Sequence, residues 1–275
     1  MVEQKPRLAG KVAIVTGAGS VGPAMGNGKA VAIQFARQGA KVLLVDRVTD
    51  LAEDTKKWIE SEGGIASAFT ADVTKAKDCQ AMVAAAVERY GRLDILHNNV
   101  GIRGAIGTVV ELGEDNWDNV MATNLKSVML ASKFAIPQMI KGGGGAIINI
   151  SSAVGVARPY HSAPYTASKG GVVALTHAMA VDHAPDHVRV NCIAVGSVFT
   201  PKATQGMTEE VRDARRRDSP LELEGTSWDI SWAAVYLASD EARWVTGIVL
   251  PVEGGLTLTR RGGQEAAEAK SRELT

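Results

Sequence analysis

Short apolar runs alternate with segments of helical periodicity along most of the chain. Residues 11–16 form the first run, and from residue 27 apolar positions recur at the spacing of an amphipathic helix. Further apolar runs of strand length lie at residues 41–45, 65–70, 93–97, 146–150, 188–194 and 247–252, and further helical patterns lie at 75–90, 114–140, after 164 and at 227–239. Strands that alternate with helices are typical of a parallel sheet. The sequence therefore predicts an α/β protein whose doubly wound parallel sheet of about seven strands carries helices on both faces.

One large domain accounts for this alternation. The chain has 275 residues, 45% of them hydrophobic, which is enough for a sizeable core, and no linker or internal repeat divides it. We expect one domain over residues 1–260, with a substrate loop at about 197–226, followed by a charged tail at 261–275. The 30 basic and 30 acidic residues cancel, which argues against nucleic acid or an anionic membrane as a partner.

The features that report on location and metal binding favour a soluble cytoplasmic protein without a metal site. Residues 1–10 are polar, and no apolar run is long enough to cross a bilayer. Two cysteines, Cys79 and Cys192, do not make a disulfide framework, so we expect buried free thiols in a reducing compartment. His183 and His187 lie four apart, but the proline between them should break the helix that would align them on a metal.

A glycine-rich loop joins the first strand to the first helix. The glycines of residues 17–28 can adopt positive φ and let the backbone approach a phosphate at the helix N-terminus. Asp46 follows the second strand, eighteen residues after Gly28, where a ribose-binding acid belongs. Its carboxylate would accept hydrogen bonds from ribose hydroxyls and repel a 2′-phosphate, which predicts NAD rather than NADP. The alternative is an N-cap for the helix that begins near Thr49, which Thr49 or Asp50 could supply equally well.

Polar residues also follow later strands, at the sheet edge where ligands bind in this class of fold. Asp72 follows the third strand, residues 98–101 follow the fourth, and residues 195–200 follow the sixth. Asn124 is different, because it is a polar residue among the apolar positions of the long helical pattern at 114–140. It either caps a local backbone break or belongs to a buried polar network.

The segment from residue 151 to residue 169 is the strongest candidate for chemistry. Tyr165 and Lys169 are four apart and share a face of a helix that begins after Pro164. A free phenol with a pKa of about 10 is a poor base at neutral pH, and a nearby ammonium lowers that pKa. Ser152, after the fifth apolar run, could reach a substrate oxygen that also contacts Tyr165. Tyr-x-x-x-Lys pairs also arise by chance on surface helices, so the pair needs support from the rest of the chain.

A few further side chains are candidates for substrate recognition. Arg103 and His161 point weakly to polar or anionic groups, although a surface histidine is the simpler interpretation of His161. Residues 201–226 are polar with few anchors, which is typical of a mobile cover over a site. This segment contains Arg212, Arg215, Arg216 and Arg217. A solvated helix face is the favoured interpretation of these arginines, with contact to an anionic substrate as the alternative.

These motifs occur in the order found in the classical short-chain dehydrogenase/reductases, and the chain resembles that family over roughly residues 8 to 258. The family's Thr-Gly-x-x-x-Gly-x-Gly loop is matched by Thr16-Gly17 and Gly26-Asn27-Gly28, with five additional residues between the glycines. Its Asn-Asn-Ala-Gly motif is matched by residues 98–101, with Val100 in place of alanine.

The family's catalytic positions are matched as well. Its asparagine falls on Asn124, its serine on Ser152, and its Tyr-x-x-x-Lys pair on Tyr165 and Lys169, with the usual thirteen residues from serine to tyrosine. The Pro-Gly turn after the sixth strand is Val195-Gly196 here. By this resemblance the cofactor-binding residues are Gly17, Gly26, Asn27, Gly28, Asp46, Asp72, Val73, Asn99, Gly101, Tyr165, Lys169, Gly196, Val198 and Thr200. The candidate substrate contacts are Arg103, Val154 and His161.

The resemblance implies a Rossmann-type fold and hydride transfer between NAD and the carbinol or carbonyl carbon of a small-molecule substrate. Tyr165 would exchange the proton of the reacting oxygen, which Ser152 would hold. Lys169 would lower the phenol pKa and bind the nicotinamide ribose, and Asn124 would keep a water in a proton relay. A homotetramer built on the long helices near 114–140 and 165–184 is implied in the same way. The alternative is a catalytically idle NAD-binding scaffold or sensor on the same fold.

Overall fold

The computed structural model describes residues 6–22, 25–157, 161–204 and 206–258. Seven strands form one parallel sheet in the order β3-β2-β1-β4-β5-β6-β7. The strands are β1 (Val12–Thr16), β2 (Lys41–Asp46), β3 (Ile65–Thr70), β4 (Ile95–Asn98), β5 (Gly145–Ser152), β6 (Val188–Val195) and β7 (Val249–Val252). The strand order changes direction between β1 and β4, and in such sheets ligands bind beyond the carboxyl ends of the strands at this point.

Helices cover both faces of the sheet, which confirms the predicted doubly wound α/β fold. They are α1 (Asn27–Arg37), α2 (Thr49–Ser61), α3 (Ala76–Tyr90), α4 (Glu114–Met121), α5 (Ser127–Lys141), α6 (Ala153–Val156), α7 (Ala163–His183), α8 (Pro201–Thr204), α9 (Glu209–Arg217) and α10 (Ser227–Ala238). One apolar core lies between the sheet and α1, α2 and α10, and a second lies between the sheet and α3, α5 and α7. No helix in the described ranges is both long and apolar enough to cross a membrane.

The inner strands are mostly apolar because helices bury both of their faces. All five residues of β1 are buried. Cys79 and Cys192 are buried free thiols, as predicted, and burial raises the pKa of each to about 11. His97 of β4 is an exception to the apolar pattern, since its imidazole is fully buried and packs edge-on against Phe35 at 6.1 Å between ring centroids.

The long helical pattern at 114–140 is one helical stretch with an irregular centre. It begins with α4, continues through a π-helical turn at Ala122–Lys126 and ends with α5. The π turn contains Asn124, and π turns inside α-helices occur frequently at functional sites. Farther along, α7 ends at His183 and a short 3-10 turn follows at Ala184–Asp186, so the proline breaks the helix as predicted.

The segment after β6 contains α8 and α9, and ion pairs join its own residues to one another. Arg212 forms two hydrogen bonds with the carboxylate of Glu224. Arg216 and Arg217 both pair with Asp213. Because both partners of each pair lie within residues 201–226, the expectation of few anchors to the rest of the chain stays a prediction. The predicted tail at 261–275 lies outside the described residues.

Candidate active site

The glycine loop brings the start of α1 against the end of β1. Gly17 has a φ of +63°, a conformation that glycine adopts without strain. A Cβ on Gly28 would lie 2.0 Å from the carbonyl oxygen of Gly17, so only glycine fits at this position. The Asn99 amide, at the end of β4, donates to the carbonyl oxygens of Thr16 and Gly17 at 3.1 and 3.2 Å. The five additional residues of the loop thus leave the packing of helix on strand intact.

Asp46 stands at the end of β2 with its carboxylate turned towards this loop. One carboxylate oxygen accepts from the backbone N–H of Gly19 at 3.0 Å and the other from that of Val48 at 3.1 Å. Helix α2 starts after Val48 without a side-chain N-cap, so the alternative role of Asp46 as a helix cap is wrong. An ionised carboxylate has about four acceptor sites, so Asp46 retains capacity for further donors.

A cavity of about 460 Å³ lies over these elements, a size within the usual range for small-molecule sites. Ten of the predicted cofactor residues line it: Gly17, Gly26, Asn27, Gly28, Asp46, Asp72, Val73, Asn99, Gly101 and Thr200. The side-chain oxygen of Asn27 is buried without a hydrogen-bond partner among the described residues. Close-approach glycines, an orphaned amide at a helix N-terminus and a carboxylate at the end of β2 fit a dinucleotide.

The remaining predicted cofactor residues lie beside the cavity rather than on its wall. Val198 lines a separate cavity of about 240 Å³. Gly196 packs against Glu253 so closely that a Cβ would lie 2.4 Å from the Glu253 Cβ. Lys169 lies next to Gly101 of the cavity wall, because a Cβ added to Gly101 would lie 3.2 Å from the Lys169 Nζ. Tyr165 in turn is a neighbour of Lys169.

Several cavity-lining residues were missed by the sequence reasoning. They are Ser20, Val21, Val45, Arg47, Val48, Leu51, Ala71, Thr74, Asn119 and Thr123. Most adjoin a predicted residue, and neighbourhood in the sequence is the signal that could have found them. Asn119 and Thr123 carry no such signal except their position just before Asn124. Thr74 also acts on Asp72, because its hydroxyl and backbone N–H donate to the Asp72 carboxylate and lower its pKa.

Ser152 and Tyr165 come together from β5 and from the first turn of α7. The Ser152 hydroxyl is near enough to lower the pKa of the Tyr165 phenol by hydrogen bonding, and the charge of Arg103 lowers it further. Burial is the larger effect, and it holds the pKa of Tyr165 above its ordinary value. Desolvation of the phenolate thus outweighs the nearby hydrogen bond and charge, and the predicted effect of Lys169 on the phenol stays a prediction.

Lys169 lies one helical turn after Tyr165, with its Nζ 5.9 Å from the centre of the phenol ring. The ammonium donates to the carbonyl oxygen of Ile150 at 2.8 Å. Burial lowers the pKa of Lys169 to about 8. The amine therefore stays mostly protonated at neutral pH but titrates well below an exposed lysine.

Asn124 satisfies both interpretations that the sequence left open. It sits in the π turn, and its side chain is buried in a polar network. The amide oxygen accepts from the backbone N–H of Ile102 at 2.8 Å, and the amide nitrogen donates to the Ile102 carbonyl at 2.8 Å and to the Ser168 hydroxyl at 3.0 Å. Ser168 was missed, although it directly precedes Lys169. The network ties the segment after β4 to α7.

Two of the three candidate substrate residues act on the catalytic pair, since Val154 contacts Ser152 and the charge of Arg103 acts on Tyr165. The Arg103 carbonyl accepts from the Ser162 hydroxyl at 3.3 Å, and the His161 carbonyl accepts from the Gly107 N–H at 3.0 Å. Val154 donates its N–H to the Ser152 hydroxyl at 3.4 Å. The described ranges contain no group of three histidine, cysteine or carboxylate side chains arranged to hold a metal.

Known proteins resemble this chain over nearly its whole length. A family model described as enoyl-(acyl carrier protein) reductase matches residues 22–257. The uncharacterized oxidoreductase YxbG of Bacillus subtilis is 36% identical, over 98% of this chain and 99% of its own. A solved structure assigned to the short-chain dehydrogenase/reductases, from Burkholderia xenovorans, is 38% identical with a TM-score of 0.88, over 93% of this chain and 99% of that one.

A second solved structure adds a ligand-bound example. This 7α-hydroxysteroid dehydrogenase, complexed with NADH and 7-oxo glycochenodeoxycholic acid, is 33% identical with a TM-score of 0.85, over 91% of this chain and 96% of that one. Identity above 30% across almost the full length, with the same parallel sheet, is family-level similarity rather than likeness of fold alone. The chain therefore belongs to the classical short-chain dehydrogenase/reductases, a family of NAD(P)-dependent oxidoreductases.

Proposed function

We propose that this protein is an NAD-dependent oxidoreductase that interconverts a secondary alcohol and a ketone, with Tyr165 as the acid and base. The observation that carries the proposal is the half-buried Tyr165 phenol, which has the Ser152 hydroxyl and the Lys169 ammonium as neighbours beside a glycine-lined cavity. The complex of the related hydroxysteroid dehydrogenase with NADH and an oxo compound supports the same cofactor and substrate class.

In this mechanism Tyr165 transfers the proton of the reacting oxygen, and Ser152 holds that oxygen by a hydrogen bond. The cavity residues would hold NAD or NADH, which would supply the hydride acceptor for oxidation and the hydride donor for reduction. Tyr165 supplies its phenol proton to the substrate oxygen in reduction, and in oxidation it takes the alcohol proton as its own proton leaves along the proton relay to solvent. The hydrogen bond that the Ser152 hydroxyl donates to the Val195 carbonyl is long, at 3.4 Å, so the hydroxyl could donate to the reacting oxygen instead.

The charge state of the site favours the phenol as a proton donor. Burial raises the pKa of Tyr165, so the hydroxyl keeps its proton at neutral pH in the unliganded protein. Lys169, with its pKa lowered to about 8, still supplies positive charge at neutral pH, as its roles towards the phenol and the nicotinamide ribose require. Asn124 uses one lone pair of its amide oxygen on Ile102, and we assign the second to the water of the proton relay.

We assign NAD as the preferred cofactor because of Asp46. The Asp46 carboxylate is on the cavity wall and is held there by two backbone N–H groups, so it is positioned to accept from ribose hydroxyls. The same charge would repel a 2′-phosphate. The charge of Arg47, beside Asp46 on the cavity wall, would favour a phosphate, and in this proposal the Asp46 carboxylate with its fixed orientation outweighs it.

We assign the substrate to the space around Arg103, Val154 and His161, and we infer a homotetramer in the cytoplasm. Support for assembly comes from exposed apolar side chains on the helices that would form the interfaces, with Trp117 on α4 42% exposed and Val181 on α7 76% exposed. Apolar surface of this kind commonly marks an interface. Gel filtration with light scattering should give four copies, and a monomer at working concentration would remove this part of the proposal.

The central test is a panel of secondary alcohols with NAD and of ketones with NADH, followed by NADH absorbance, with NADH binding measured separately by fluorescence. Tyr165→Phe should abolish turnover and leave NADH binding largely intact. Tyr90→Phe is the matched control. It also removes a phenol hydroxyl, but this hydroxyl joins α3 to Ser67 of β3. Near wild-type turnover by Tyr165→Phe would contradict the mechanism. NADH binding without turnover of any compound would favour the nucleotide-binding scaffold.

A further inference from the structure

The loop after β4 holds Arg103 at a fixed position beside the catalytic residues. The Asn124 side chain exchanges two hydrogen bonds of 2.8 Å with the backbone of Ile102, the residue before Arg103. The buried Ser162 hydroxyl donates to the Arg103 carbonyl oxygen at 3.3 Å. Ser162 lies three residues before Tyr165. The backbone at Arg103 is therefore tied to the π turn on one side and to the start of α7 on the other.

Two further contacts hold the loop beyond Arg103. Gly104 has a φ of +71°, and a Cβ on it would lie 2.4 Å from the Val120 Cγ2, so the loop packs closely on α4. Gly107 pairs with Ser162 in an isolated β-bridge. Because the backbone is held before and after Arg103, the region that its exposed side chain can reach is limited to the surroundings of the site.

The charge of Arg103 acts on the group that exchanges the proton. Burial raises the pKa of the Tyr165 phenol, and the Arg103 guanidinium lies near enough to oppose that rise by its charge. The charge of His161 acts elsewhere: Thr108 lowers the pKa of the Glu111 carboxyl by hydrogen bonding, and His161 adds to this effect. A substrate whose oxygen lies against Tyr165 therefore has the positive charge of Arg103 nearby.

A guanidinium favours one kind of substrate group over the others. Its planar N–H groups can hold the two coplanar oxygens of a carboxylate through two parallel hydrogen bonds. A neutral group of the same shape gains neither the charge attraction nor the second strong hydrogen bond. A cationic group would be repelled. The position of Arg103 beside Tyr165 thus favours a carboxylate on the same molecule as the reacting oxygen.

We propose that the substrate is a secondary hydroxy acid, or the oxo acid formed from it, and that Arg103 binds its carboxylate while Ser152 and Tyr165 hold the reacting oxygen. The inference rests on the proposed function, because it takes Tyr165 as the group that exchanges the proton of that oxygen. Binding at both ends orients the carbon between them for hydride transfer. Arg103 is a substrate-binding residue in this arrangement and takes no part in the proton transfer.

The test compares hydroxy acids with uncharged compounds of the same shape. Racemic lactate, β-hydroxybutyrate and γ-hydroxyvalerate are each assayed with NAD beside their primary amides, and the ratio of kcat/KM for the acid to that for the amide is measured. For the member of the series that fits, this ratio should be at least about tenfold in the wild type. Because Arg103 also acts on the phenol, the amide is the internal reference for any change in proton transfer.

Three variants assign the preference to Arg103. Arg103→Gln should bring the ratio to about one, mainly by raising KM for the acid, because the neutral amide loses the charge-assisted hydrogen bonds. Arg103→Lys keeps the charge without the planar donors and should retain part of the preference. Arg243→Gln is the matched control, since it removes an exposed arginine that lies before β7, and its ratio should equal that of the wild type.

The outcomes separate this inference from the proposed function. If the wild type oxidises no secondary alcohol with NAD, the proposed function fails and the substrate assignment fails with it. If it oxidises other secondary alcohols but none of the acids, or oxidises acid and amide equally well, the substrate assignment alone is overturned. An unchanged ratio in Arg103→Gln would also overturn it.

A measurement on the wild type replaces the variant if Arg103→Gln loses its native circular dichroism. Salt screens the attraction between an exposed guanidinium and a carboxylate. The ratio for acid over amide should therefore fall as the salt concentration rises. A ratio that stays constant with salt would overturn the assignment of the carboxylate to Arg103.

Discussion

Replacing His97 with valine should make the protein more resistant to unfolding by acid. The imidazole is fully buried in β4, and neither of its nitrogens has a hydrogen-bond partner among the described residues. Burial lowers the pKa of His97 from 6.5 to about 3, because the charged ring would be desolvated without a compensating partner. Valine suits a buried strand and carries no proton.

The size of the effect follows from the two pKa values. The folded pKa lies below the unfolded one, so protons bind preferentially to the unfolded chain and stabilise it. Above pH about 6.5 this penalty is absent, and it grows as the pH falls towards about 3. Between about pH 7.5 and about pH 5 it amounts to about 2 kcal/mol, and below pH about 3 it approaches about 5 kcal/mol.

Urea unfolding followed by tryptophan fluorescence, at one protein concentration and at both about pH 7.5 and about pH 5, measures this difference. The free energy of unfolding of His97→Val relative to the wild type should rise by about 2 kcal/mol at the lower pH. His177→Gln, which removes an exposed histidine of α7, is the control. The reasoning is refuted if the difference between His97→Val and wild type is the same at both pH values, or if His177→Gln reproduces the change.

Two further predictions concern the cofactor. Gly28→Ala should weaken NADH binding at least about tenfold in a fluorescence titration. The reason is that the new Cβ would lie 2.0 Å from the Gly17 carbonyl oxygen. Gly113→Ala is the control and should bind NADH normally, because its Cβ would meet nothing within 4 Å. Equal affinity in the two variants would show that the close packing is not needed. Asp46→Asn keeps the size of the side chain but removes its charge, so the ratio of kcat/KM for NADP to that for NAD should rise at least about tenfold. An unchanged ratio would remove Asp46 as the selecting residue.

Apolar periodicity was sufficient to predict the sheet because parallel strands buried on both faces appear as continuous apolar runs. Its limit appears at β5, which was expected to end at Ile150 but extends to Ser152. Ser151 and Ser152 pair with Ala194 and Val195 of β6, so backbone pairing carries the strand beyond its apolar residues. The same extension places the Ser152 hydroxyl at the sheet edge, where the site lies.

Spacing in the sequence identifies which groups meet but not what charge they carry. The four-residue interval between Tyr165 and Lys169 places both on one face of α7, whichever way that face is turned. Only the fold shows that Lys169 is buried and Tyr165 half-buried, and this desolvation acts oppositely on their pKa values, raising that of the phenol and lowering that of the amine. Both groups are thereby shifted towards their neutral forms. The charges that oppose this shift come from other elements, with Arg103 after β4 as an example. The acid strength of Tyr165 is therefore a property of the assembled site, which no motif in α7 could have revealed.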